Sequence, residues 1–205
     1  MGQAHWYLQA RLTQHADYSI TLDQARYSAL ISSCCLPGSE TTNISEEDKT
    51  KYSTPLPTNF VATKTDESPT YLEGKELEKE YRFQYSSAIG MLIFPMNTAS
   101  SLQFAIRKLA KFNTKPGRKH YQALIHLLHH VRTQRLNLGL NIYTKKHTSP
   151  IQVLLHETNP DFDLKSNPII MFTDTSWQDC LDTGRNTGAY YIYVNGSLVD
   201  AGSTI

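Results

Sequence analysis

From Tyr81 to His156 the chain contains no aspartate or glutamate. The same stretch carries Arg82, Arg107, Lys108, Lys111, Lys115, Arg118, Lys119, Arg132, Arg135, Lys145 and Lys146, 11 of the 20 basic residues. The segment before it, 40–80, is acidic on balance, and from Glu157 onward seven acids stand against two bases, so the net charge of +1 hides a strong sorting. Inside the acid-free stretch Leu102, Ala105, Ile106, Leu109 and Phe112 recur at helical spacing, with Arg107, Lys108 and Lys111 largely on the other face. A second helix starts around Pro116, a favoured first-turn residue, with Tyr121, Leu124, Leu128 and Val131 as its stripe. Arg132 and Arg135 fall near its C-terminal end, where cations suit the helix dipole. The pattern allows little else than two amphipathic helices, each with one face packed inward and a cationic face turned out. A chain rarely excludes one sign of charge over such a length without a polyanionic partner, and nucleic acid fits best because neutralising phosphates releases condensed counterions. The competing reading is a solvated basic face that balances acidic surface on the same molecule.

On either side the signals are of other kinds. Residues 5–12 and 18–22 read as two strands joined by a loop at Thr13 to Asp17, and Asp23 reads as the N-cap of a short helix over 24–32. From Pro37 to Glu67 the abundance of Ser, Thr, Pro, Glu and Lys predicts a linker without regular structure. Helical character resumes over Glu73 to Tyr85 and runs into Ser87 to Phe94, where Pro95 stops or kinks it. Pro168 to Asp174 is an apolar run closing on a carboxylate and reads as a buried strand. Gly188 to Val194 is aromatic and β-branched, and Asn195-Gly196 is a two-residue hairpin turn before Ser197 to Ala201. The longest apolar run, Ala88 to Met96, is interrupted by Gly90 and Pro95 and is too short to span a bilayer. With no secretory pattern at the N-terminus and only Cys34, Cys35 and Cys180, the chain reads as soluble and intracellular.

Few residues suggest chemistry by themselves. Asp174, at the end of a strand with Thr173 and Ser176 nearby, is a recurring way to present a carboxylate to a divalent metal. An aspartate bonding its own turn is the commoner arrangement, and the residues alone favour it. His126 and His130 have the one-turn spacing of a zinc-binding pair, but Leu127 stands where a metalloprotease would have its glutamate. A structural or phosphate-facing role for His120, His126, His129 and His130 is favoured. No Gly-x-Ser-x-Gly elbow is present, and Gly184 and Gly188 form neither a P-loop nor a dinucleotide fingerprint. Trp6, Tyr7, Tyr190, Tyr191 and Tyr193 could stack on bases, though a core role is expected for most of them.

Several of these patterns, in order, resemble the copia-type retrotransposon polymerase across nearly the whole chain. Trp6-Tyr7-Leu8 and Leu22-Asp23-Gln24-Ala25-Arg26-Tyr27 are similar to the segment after the polymerase active site, and Tyr52-Ser53-Thr54-Pro55-Leu56 to the family's TPL stretch. Residues 85–94 are similar to its YRSxxGxLxY box and 104–112 to the FAVxxLSRF helix after it, and His120-Tyr121-Gln122-Ala123-Leu124 and Leu138-Gly139-Leu140 also fit. Phe172-Thr173-Asp174-Thr175-Ser176-Trp177 and Arg185 to Tyr190 look like the start of its ribonuclease H domain. Each motif is weak alone; their order is what is specific. Gln9 stands where the family has Gly, Ser86 replaces an Arg, and Ser100-Ser101-Leu102 replaces Arg-Pro-Asp. These departures suggest a decaying copy or a partial gene model.

The resemblance implies an α+β chain: reverse-transcriptase thumb and connection helices followed by an incomplete, three-stranded ribonuclease H-like sheet. The expected divisions are the end of the polymerase (1–36), a linker (37–72), a basic helical connection (73–147) and the start of the nuclease (148–205). Asp174 would be the first metal-binding acid of a nuclease that uses Mg2+ in the intact family. The polymerase acids would lie before Met1 and the other nuclease acids beyond Ile205. The expectation is therefore a fragment inactive alone, holding no Mg2+ by itself. It would retain affinity for an RNA–DNA hybrid or DNA through Arg107, Lys108, Lys111, Lys115, Arg118, Lys119, Arg132 and Arg135. The alternative is a non-enzymatic nucleic-acid-binding or protein-interaction module derived from a transposon.

Overall fold

The structure, a computed structural model, describes residues 5–7, 9–36, 44–135, 138–144, 149–161, 163, 168–176 and 180–204. Lys145, Lys146, Trp177 and the beginning of the expected linker, 37–43, lie outside them. Among the described residues are seven α-helices and two antiparallel sheets, so the chain is α+β. They group into two units, one from 1–23, 139–180 and 184–205, the other from 24–138 with 181–183. In this grouping the first strands belong with the last.

The first unit holds both sheets. One has the order β1 (Trp6–Tyr7), β2 (Ala10–Gln14), β3 (Ile20–Asp23), β4 (Gly139–Ile142). The single strand expected over 5–12 is two short ones, because the chain folds back on itself so that Trp6 pairs with Arg11 and Tyr7 with Ala10. Gln9 takes the left-handed conformation (φ 64°) that this reversal requires, at the position where glycine was expected. A side chain there crowds its own carbonyl, so Gln9→Gly should stabilise the chain by about 1 kcal/mol in urea denaturation. No gain would mean that the reversal is not formed in solution. Asp23 is not a helix cap. It is β3's last residue, opposite Arg11, whose Nε donates to its carboxylate at 2.9 Å, and Gln24 is left as an N-cap with no side-chain bond. The other sheet is β5 (Ile169–Ser176), β6 (Thr187–Val194) and β7 (Ser197–Thr204), with Asn195 and Gly196 both at positive φ in the β6–β7 turn. The backbone N–H of Tyr143, just past β4, donates to Ser197 Oγ at 2.7 Å. β5 is not buried as expected: Ile169 is 66% and Met171 58% exposed, since β6 pairs with one edge and the faces of this three-stranded sheet are only partly covered. Trp6 and Tyr7 are likewise exposed rather than core.

The second unit is helical: α1 (Ala25–Cys35), α2 (Glu46–Lys51), α3 (Tyr71–Tyr81), α4 (Tyr85–Ile93), α5 (Gln103–Ala110) and α6 (Arg118–Gln134). Its core is one cluster in which Ile31 of α1, Leu92 of α4, Leu109 of α5 and Leu124, Leu127 and Leu128 of α6 are fully buried. The linker reading is corrected here. Ser45 caps α2 by accepting from the N–H of Asp48. Glu46, Glu47 and Asp48 lie at the positive end of its dipole, with Lys49 and Lys51 at the other. A 3₁₀ turn follows at Lys64–Asp66. The helix expected to run on through Tyr85 stops at Tyr81, where Arg82 turns left-handed (φ 61°). α4 stops at Ile93 and tightens into the 3₁₀ turn Phe94–Asn97, as the missing N–H of Pro95 dictates. In the first unit a seventh helix, α7 (Pro150–Thr158), is started by Ser149 and Pro150. No helix among the described residues is long and apolar enough to cross a membrane.

Candidate nucleic-acid interface

α5 and α6 separate apolar from cationic side chains as their periodicity requires. Leu102, Ala105, Ile106, Leu109 and Phe112 are buried, while Arg107 and Lys111, one turn apart, are exposed. Lys108 lies between them with its ammonium 5.3 Å from the centre of the half-exposed Phe104 ring. Lys115, in the α5–α6 connection, is exposed too. These four come from one short length of chain on the outer side of the core.

The remaining four divide differently. Arg118 and Lys119 occupy the first turn of α6, the positive end of its dipole, where a cation is disfavoured. Each is offset by an acid from the segment before the acid-free stretch. Arg118 forms a two-point ion pair with Glu80, its Nη2 donating at 2.7 Å and its Nη1 to the other oxygen, and Lys119 lies 3.2 Å from Asp66. Arg118 holds the Glu80 carboxyl below the usual carboxylate range. Asp66 is held low first by the Thr63 N–H it accepts and then by Lys119. Intramolecular balancing, the competing reading of the charge bias, therefore accounts for these two. Arg132 and Arg135 are half-buried at the far end of α6, about 21 and 25 Å along the axis from Arg118 at 1.5 Å per residue. The eight cations thus form no single patch.

Asp174 sits on β5 opposite Ala189, its carboxylate exposed and accepting from the N–H of Thr175 at 2.8 Å. The strand runs on to Ser176, so Asp174 is neither at its end nor bonded into a turn. Among the described residues no three His, Cys, Asp or Glu side chains converge. A single carboxylate would supply one Mg2+ ligand and leave the others to water and phosphate.

The histidines of α6 have partners that the sequence did not disclose. His120 is fully buried, stacked 3.9 Å from Phe112, and its Nδ1 accepts from the N–H of Gly117 at 2.9 Å. Burial pushes its pKa down to about 4, so the ring is neutral with its proton on Nε2. His126 Nε2 meets the carbonyl of Thr54 at 3.0 Å, and His130 Nδ1 that of Tyr52 at 2.7 Å. The His129 ring stacks on the Tyr52 ring at 4.5 Å. The one-turn spacing of His126 and His130 serves to hold a passing segment of chain. An aromatic and a leucine inside Tyr52-Ser53-Thr54-Pro55-Leu56 were the one hint that this stretch packs.

Site and fold together define an α+β chain with exposed cations along α5 and the connection that follows it. In comparisons with known proteins, no family model, curated protein or solved structure matches it.

Proposed function

We propose that the chain is a piece of a copia-type retrotransposon polymerase, spanning the end of the reverse transcriptase and the start of its ribonuclease H. It binds the backbone of an RNA–DNA hybrid or DNA inside the cell without completing either active site. The observation that carries this reading is the placement of Arg107, Lys108, Lys111 and Lys115 on the outer side of helices whose other side is core, in a stretch free of acids. The antiparallel order β5-β6-β7, with Asp174 on the first strand, agrees with the expected start of a nuclease sheet. Arg132 and Arg135, at the far end of α6, lie about six and seven base steps from its start at ~3.4 Å per step, within reach of a duplex laid along the helix.

Titrating the chain against a labelled RNA–DNA hybrid at rising salt tests the reading. With at most eight cations on phosphates, log K against log salt should slope no more steeply than about −7. Arg107→Glu with Lys111→Glu should flatten it by about 2. Undetectable binding at low ionic strength, or binding indifferent to salt, would sink the proposal. Measurable hybrid cleavage with Mg2+ would overturn the claim of incomplete sites. The second reading, a non-enzymatic module, is favoured by the helical unit's own contiguous core and by the two acids already spent on Arg118 and Lys119. A cooperative melt together with absent hybrid binding would select it.

A further inference from the structure

We propose that residues 45–54 form an acid-released strap, held on α6 by His126, His129 and His130 while these are neutral and let go when they take up protons. The contacts are specific. The Tyr52 ring stacks on His129 (4.5 Å, 13° between planes) and meets His126 edge-on at 5.1 Å. A carbonyl can only accept, so His126 donates from Nε2 to Thr54 and His130 from Nδ1 to Tyr52. Three histidines on adjoining positions of α6 thus grip two carbonyls and one ring.

Little else holds the strap. α2 has no buried residue, and its side chains bond within the segment: Ser45 caps the N–H of Asp48, Lys49 pairs with Glu46, and Thr50 Oγ1 donates to the carbonyl of Glu46. The backbone N–H of Lys49 donates to Ser45 and that of Tyr52 to Asp48. Beyond Thr54 the chain is anchored by Leu56 and Phe60, which pack on the core. The core does not depend on the strap either. Leu124, Leu127, Leu128 and Val131 of α6 are fully buried within the helical unit's main apolar cluster. A segment with few buried apolar contacts and its own anchor opens locally at low cost.

Burial sets the direction, and charge adds to it. The groups acting on the three rings are Lys51 and Asp48 from α2, Arg132 from α6, and the histidines on one another; Asp48 alone favours protonation. The Lys51 ammonium is 5.2 Å from the Tyr52 ring centre. Protonating the cluster would place three new positive charges against Lys51 and Arg132 with one carboxylate to oppose them. Burial first holds all three histidines below the ordinary value. Bonds to Thr54 and Tyr52 act the other way for His126 and His130, while Lys51 adds to the lowering at His126, Arg132 and Lys51 at His129, and His126 at His130. A released strap removes part of that burial and the Lys51 charge, so the three move up toward the ordinary histidine value and the open state binds more protons. Closure is therefore complete above about pH 6.5 and weakens as pH falls, by up to about tenfold per pH unit for each histidine.

Amide hydrogen exchange on the whole chain, corrected for intrinsic rates and run from about pH 8 to pH 5.5, reads the opening. A helix of six residues does not persist alone, so release exposes the amides of Lys49 and Tyr52. Their protection should drop at least tenfold on acidification, while the amides of Leu124 to Leu128 keep theirs. The triple variant His126→Gln, His129→Phe, His130→Asn supplies a side-chain amide N–H in place of each donating ring nitrogen and a ring for the stack, with nothing to titrate. Its strap should stay protected and indifferent to pH. Unchanged wild-type protection across the range, or the same acid opening in the triple variant, overturns the proposal. Lost protection at Leu124 to Leu128 in the wild type would show global unfolding and overturn it equally.

Discussion

Tyr121→Ala is expected to remove about 4 kcal/mol of folding stability, a large part of what a domain of this kind possesses. Tyr121 is fully buried on α6 and is the centre of an aromatic cluster. The Tyr81 ring lies parallel to it at 4.8 Å, Phe83 is tilted at 5.5 Å, and Tyr85 meets it edge-on at 5.2 Å. Truncation loses the transfer energy of the ring and leaves a cavity that three other rings cannot fill without leaving their rotamers. It also loses ring–ring terms of about 0.5–1.5 kcal/mol per pair. Tyr85 cannot move in freely, because its hydroxyl donates to the carbonyl of Leu109 at 2.9 Å. Tyr121→Phe keeps the ring and removes a buried hydroxyl without a hydrogen-bond partner among the described residues, so it should change stability by less than about 1 kcal/mol. Urea denaturation decides: a midpoint shift at constant m for Ala, and a small one for Phe. A loss for Ala below about 1 kcal/mol would mean that the cluster is not core.

The inward stripes of α5 and α6 were legible because a helix repeats every 3.6 residues, and the cationic residues between Leu102 and Val131 mark the other face sharply. Asn195-Gly196 was legible because few pairs tolerate two consecutive positive φ angles. Where the sequence misled, the missing information was nonlocal. Ile169 to Phe172 has the composition of a buried strand, but composition does not say whether anything covers it. β4 acquires its identity from β3, far back in the chain, so Leu140 gave no signal until it paired with Leu22. Likewise the list of eight cations did not show that Glu80 and Asp66 return to α6 and take up Arg118 and Lys119. The His126–His130 spacing shows a shared face but not its occupant, which is a stretch read as linker. α2 was missed for a local reason: six residues without an apolar stripe carry no periodicity, although Ser45 and the order of acids before lysines describe a capped helix.

Gly117→Ala should cost about 3 kcal/mol, and the cause is one close approach of backbone to backbone. The conformation of Gly117 (φ −94°, ψ 179°) is open to any residue, so flexibility is not what selects glycine. A Cβ there would fall on the carbonyl oxygen of Asp66, with the carbonyl carbon of Glu67 at 3.2 Å, and backbone cannot rotate aside as a side-chain tip can. The 3₁₀ turn at Lys64–Asp66 would have to lift from the start of α6. That movement strains the N–H of Ser68 donating to Lys115 at 3.2 Å, Ser68 Oγ donating to Pro116 at 2.7 Å, and the Lys119–Asp66 pair. His120 reports on the same junction, since its Nδ1 accepts from the N–H of Gly117. Buried, it titrates at about 4; loosened, it should move up toward the ordinary histidine value of about 6.5. The intact junction therefore opposes protonation of His120, and its contribution declines as pH falls from about 6.5 toward 4; in the variant this acid sensitivity should shrink as the folded and unfolded values converge. Following the His120 ring by NMR while measuring stability separates this account from a simple loss of helix propensity, which would leave the titration where it is. A variant that loses under about 1 kcal/mol and still titrates near 4 would show that Asp66 does not rest on Gly117.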